Sequence, residues 1–170
     1  MYGRSARSLL LPVLCLCVFS CSLKKKAVDT LASVLGESEY VYLSDDDPEL
    51  IAAAMPFNLK TLETLLRSNP DHRGLLLMTC KSFTFYTYGF VEPQAERQED
   101  DDYYQAQETR RRAARLYMRA YRYGLHGLDV SHPGFAQTLP IDPEETVRRL
   151  KIEDVPLSVW TAAALGAAIA

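Results

Sequence analysis

Apolar residues recur along this chain every three or four positions, and polar or proline-bearing stretches cut the rhythm into pieces of helix length. After Lys24–Lys26, the residues Val28, Leu31, Val34 and Leu35 fall on one helical face, with Gly36 placed as a stop. The stretch "SDDDPEL" predicts a strong helix start. Ser44 or one of the aspartates serves as N-cap, Pro48 sits near the first position and Glu49 lies in the first turn. The stripe Leu50, Ile51, Ala54, Leu59, Leu62, Leu65 and Leu66 then runs to Asn69-Pro70-Asp71, which closes this helix and caps the next. Pro56 lies inside the stripe and has no N–H to donate, so a kink or break is expected there.

The segment "HRGLLLMTCKSFTFYTYGF" has two readings. Phe83, Phe85 and the nearby tyrosines alternate as in a strand, whereas Leu76, Cys80, Phe83, Tyr86 or Thr87, and Phe90 recur as a helical stripe. Its length and the Asn-Pro-Asp corner before it favour helix. "EPQAERQEDDDYYQAQ" reads as a polar loop feeding a long helix. Asp100–Asp102 stand at that helix's start and six arginines between Arg110 and Arg122 lie further along, the order the helix dipole favours. Ala113, Leu116, Tyr117, Ala120, Tyr121 and Gly124 form its packing face, small enough to admit a close neighbour. "HGLDVSHPGFAQTLPIDPEE" reads as a connecting segment, with a short helix opened by Asp142 and Pro143 at its end and an Ala-rich one opened by Pro156. The last helix reaches Ala170 with no cap or polar tail. Such an ending is expected of a cut within a repeating helical architecture; a natural terminus docked on the core is the other reading. The fold class predicted is all-α, built of antiparallel helical hairpins.

The N-terminus follows different rules. Arg4 and Arg7 precede an apolar run, Leu9–Phe19, about half as long as a bilayer-spanning helix requires. That pattern describes a secretory signal over residues 1–20, leaving one helical domain over 21–170. Val18, Ser20 and Cys21 resemble the lipobox of bacterial lipoproteins, which implies lipidation of Cys21 and anchoring to a membrane on the periplasmic side. Ser22 after the cysteine leans toward the outer membrane. A plain cleavable signal with an incidental cysteine is the alternative.

Charge and composition narrow the function classes. The chain has 19 basic and 22 acidic side chains, and the signal removes Arg4 and Arg7, which deepens the formal charge from −3 to −5. That balance argues against nucleic acid as a partner. Cys80 would be the one cysteine left unmodified, and "LLLMTCKSF" places it as a small buried hydrophobe rather than a reactive thiol. His72, His126 and His132 lack the spacing of metal ligands, and no glycine-rich phosphate loop or nucleophile elbow is present. The expectation is a protein without catalysis, metal or cofactor. The aromatic set on two adjacent elements is more informative. It either fills a helix-pair core or lines a cavity for an apolar ligand. Under the second reading the candidate ligand-binding residues are Phe83, Tyr86, Phe90, Tyr117 and Tyr121, with Arg115 and Arg119 at the polar edge.

Leu62, Leu65 and Pro70 fit loosely to a tetratricopeptide helix and its closing proline. Longer strings carry a closer resemblance: "DDPELIAAAMPFNLKTLETLLRSNPDHRGLLLMTCKSFTFYTYGFV", "RRAARLYMRAYRYGL", "HPGF" and "VPLSVWTAAALGAAIA". Together they resemble the T component (TatT) of tripartite ATP-independent periplasmic (TRAP) transporters. The resemblance implies a periplasm-facing lipoprotein of TPR-like hairpins in a right-handed array, which in this chain stops where relatives continue. It further implies a homotrimer that engages the substrate-binding P subunit and a small hydrophobic ligand. A generic TPR-type envelope scaffold without a small-molecule ligand is the competing class.

Overall fold

Asp47 opens the first long helix. Its carboxylate accepts hydrogen bonds from the backbone N–H groups of Glu49 and Leu50 at 3.0 and 2.9 Å, and Pro48 fills the first turn, where no N–H is needed. The structure, a computed structural model, describes residues 25–36 and 39–170; the signal segment 1–20 and Cys21 lie outside the described residues. The described residues are all-α, as the hydrophobic rhythm predicts. In order they form α1 (25–36), α2 (Glu39–Leu43), α3 (Pro48–Ser68) and α4 (Arg73–Tyr86). A π-helical turn (Thr87–Val91) leads into α5 (Glu92–Gln98), followed by α6 (Tyr103–Ser131), α7 (Phe135–Thr138) and α8 (Pro143–Arg148). A 3₁₀ turn (Ile152–Asp154) then opens α9 (Val155–Ile169).

Several expectations are corrected by the chain itself. Helix α3 passes Pro56 without a break. Pro56 and Phe57 face solvent, so the carbonyl left without its N–H partner lies on the hydrated side. The buried face of α3 is Ile51, Met55, Leu59, Leu62 and Leu66, and Leu50 is exposed. At the Asn-Pro-Asp corner the cap of α4 is His72, whose Nδ1 accepts from the Leu75 N–H at 3.0 Å, rather than Asp71. The acidic segment expected as a loop contains α5. The segment expected as a connection carries the last turns of α6 as well as α7.

The π turn explains a further shift. Pro93 lacks an N–H and its ring would crowd the carbonyl four residues back in an ordinary helix, a strain that a widened turn relieves. The N–H of Glu92 bonds instead to the Thr87 carbonyl. The widened turn carries the buried face from Phe83 through Thr87 to Val91, and leaves Phe90 only partly buried.

Helix α4 is the centre of the molecule, with α3, α6 and α9 packed around it. Val28 and Ala32 of α1 join Leu62, Leu66, Leu75 and Leu76 in one core cluster, while Leu59, Cys80, Phe83, Ala120 and Ala164 form the next. Cys80 is fully buried, which pushes its thiol up to about 12 and leaves it inert, as its sequence context predicts. Helices α6 and α9 approach closely because glycines face the contact. A Cβ at Gly124 would lie 2.1 Å from Thr161 Oγ1.

Asp154 ties three helix ends together. Its buried carboxylate pairs with Arg73 at the start of α4 and His132 at the end of α6 (2.7 Å), and accepts from the Lys151 N–H at 2.8 Å. Burial by itself would raise the Asp154 carboxyl. The His132 and Lys151 hydrogen bonds and the Arg73 charge outweigh it, leaving the group below its ordinary value of 3.8.

Candidate functional site

The aromatic residues singled out in the sequence separate into two environments. Tyr117 is 1% exposed and packs with Val91 and Ala113, near Ala167 and Ala168 of α9. Its hydroxyl is the one buried side-chain polar atom without a hydrogen-bond partner among the described residues. Burial first, and the nearby Glu92 carboxylate second, hold that phenol against ionisation. Phe83 is buried beside Tyr123 (centroids 6.0 Å), with the Arg119 guanidinium 5.0 Å from its ring. Tyr86 and Phe90 contact each other at 5.9 Å and are half-buried, and Tyr121 packs at the edge of the second core cluster. Arg115 is exposed.

Arg119 belongs to a polar node that reaches across from α6 to α3. Glu63 pairs with both Arg119 and Lys60, and accepts the Tyr123 hydroxyl at 2.7 Å. Burial would raise the Glu63 carboxyl, but Tyr123, Lys60 and the Arg119 charge leave it below 4.5. Tyr123 is raised in turn, by burial and by Glu63.

An apolar cleft opens elsewhere, on the side of α4 turned toward α1 and α2. It holds about 550 Å³, mouth included. Leu35, Tyr42 and Leu43 come from α1 and α2, Met55 and Leu62 from α3, and Met78 and Phe85 from α4. Asn58, Lys81 and Ser82 supply the polar edge, with the Lys81 ammonium 5.3 Å from the Trp160 ring centroid. An apolar lining with a few polar groups at its edge is the composition of a small-molecule site. None of Phe83, Tyr86, Phe90, Arg115, Tyr117, Arg119 and Tyr121 lines it. The sequence signal was present on the same helix. Met78, Lys81, Ser82 and Phe85 recur at i, i+3, i+4 and i+7, one face away from the stripe through Phe83.

Residues 44–170 match the family model described as TRAP transporter T-component. An uncharacterized protein of Treponema pallidum (strain Nichols) is 31% identical over 150 residues, which are 80% of this chain and 46% of that protein. The chain thus spans about half the length of that curated relative.

Proposed function

The chain belongs to the TRAP transporter T-component family, and on that premise we propose that it is a lipid-anchored, periplasm-facing component that binds a small apolar ligand and the P subunit of a TRAP uptake system. The observation that carries the ligand reading is the cleft between α1, α2, α3 and α4. Its lining is apolar while its edge offers an amide, an ammonium and a hydroxyl, so it suits a ligand with a hydrocarbon body and one polar end. Thioether side chains at Met55 and Met78 adapt to varied ligand shapes. TPR-like helical hairpins and a trimeric assembly belong to the same reading, as does the anchor at Cys21.

The cationic edge residue is positioned by its neighbours. Lys81 stands by Trp160 of α9, so its charge sits at the boundary between the cleft and the last helix. The polar end of a ligand would meet the Asn58 and Ser82 side of this edge while its chain lies against Leu35, Met55 and Phe85.

The test is extraction of the protein purified from its own cells, followed by mass spectrometry of the released apolar compounds. Wild type should carry a defined amphiphile and Met78→Trp, which fills the cleft, should carry little of it. Identical extracts from both would remove the ligand reading. Metabolic labelling with a fatty-acid probe should tag wild type and spare Cys21→Ser; labelling of the serine variant would remove the anchor.

A further inference from the structure

A second opening lies between α3 and α6, and its chemistry is the reverse of the cleft's. The groove holds about 900 Å³ counted to its open mouth, with Leu66, Pro70 and Leu76 as an apolar floor. Its walls carry Arg67 on α3 and Arg119, Arg122 and His126 on α6. Arg119 is held by Glu63, and His126 Nε2 meets Asp71 at 2.9 Å. Arg67 and Arg122 are exposed, and among the described residues neither has an ion-pair partner.

The Glu63 node does two things here. By joining α3 to Arg119 and Tyr123 it sets the spacing of the groove walls and fixes one guanidinium in place. Its single negative charge leaves the other two arginines uncompensated, on a chain whose formal charge is −3. A cationic groove on an acidic chain is selective by sign: it repels basic surfaces and draws acidic ones.

We propose that this groove docks an acidic surface segment of a protein partner. Under the transport reading, on which the partner's identity rests, that partner is the TRAP substrate-binding subunit. Planar guanidinium groups on both walls match carboxylates in a two-pronged fashion. The apolar floor supplies the burial that a rim of charges lacks, and arginine over a desolvated floor is the composition of interface anchors. The groove is more open than the cleft, a shape that accepts a polypeptide segment better than it encloses a small molecule.

The experiment is calorimetric titration of the full-length protein with the purified substrate-binding subunit at low and high salt. It compares wild type, the double variant Arg67→Glu/Arg122→Glu, and the charge control Arg97→Glu on the exposed side of α5. The double variant should bind at least about tenfold more weakly, the control should bind as wild type, and wild-type affinity should fall steeply with salt. Both arginines are exposed and unpaired, and Arg67 contributes only through its place in the last turn of α3, so the melting temperature should fall by no more than a few degrees; the milder Arg67→Gln/Arg122→Gln pair should give an intermediate affinity loss. Equal affinity in wild type and double variant overturns the groove while leaving the association standing. Absence of binding by wild type overturns the partner reading and this proposal together. Dissociation of an oligomer in the double variant, seen by sedimentation velocity, would assign the groove to a second copy and likewise overturn it.

Discussion

Helices α3 and α4 border both openings, and one core cluster lies beneath both: Leu62 lines the cleft, while Leu66 and Leu76 floor the groove. What differs is the wall. The cleft is closed by α1 and α2 with Leu35, Tyr42 and Leu43, whereas the groove is walled by the arginine-bearing face of α6. A shared apolar base therefore acquires opposite functions from its second wall. The base should control stability, and the walls should control what binds.

The largest effect should come from the base. Leu62 is 2% exposed, and Leu62→Ala should lower unfolding free energy by about 3–4 kcal/mol through lost burial and the cavity left behind. Denaturant melts measure it. A loss comparable to that of a surface substitution would mean that the two openings do not rest on a common core.

A smaller effect should follow at the node between α3 and α6. Glu63→Gln leaves Arg119 without its charge partner and should cost about 1–2 kcal/mol at neutral pH. The sign of its pH dependence follows from the depressed carboxyl. Such a group contributes stability that is fully present above its unfolded value and is lost as pH falls through the folded one. The gap between wild type and Glu63→Gln should thus be constant near neutrality and close as pH drops below 4.5. A gap that persists in acid would show that Glu63 acts through packing alone.

The smallest effect concerns Tyr117. Its buried hydroxyl has no hydrogen-bond partner, so Tyr117→Phe should change stability by less than about 1 kcal/mol, and in the stabilising direction. A clear loss of stability on the same scale would mean that the hydroxyl is satisfied in solution, by the nearby Glu92 carboxylate or by water at a wet wall.

The particular residues show what the pattern of the chain could and could not convey. Caps at Asp47 and Asp142 and the small-residue face of α6 were readable, because they depend on neighbours within a turn or two. Pro56 misled because a local rule about one missing N–H gave way to a long apolar face packed on α4. Phe90 misled because the π turn before Pro93 changes the period just where the stripe was being extrapolated. The candidate ligand residues were chosen for aromaticity, yet the cleft is built largely from Leu and Met on four separate helices. Its wall depends on how α1 and α2 fold back over α4, a long-range arrangement to which periodicity within one helix is blind. Arg119 was singled out as a polar edge, and it does line an opening, but the groove rather than the cleft.

The division of labour between the two openings is tested most directly by titrating the full-length protein with a fluorescent long-chain fatty acid. Three forms are needed: wild type, Ser82→Trp to fill the cleft, and Arg122→Glu to reverse charge in the groove. The account predicts saturable binding by wild type, at least about a tenfold loss in Ser82→Trp, and wild-type affinity in Arg122→Glu. Full affinity in Ser82→Trp, or a loss confined to Arg122→Glu, would contradict it.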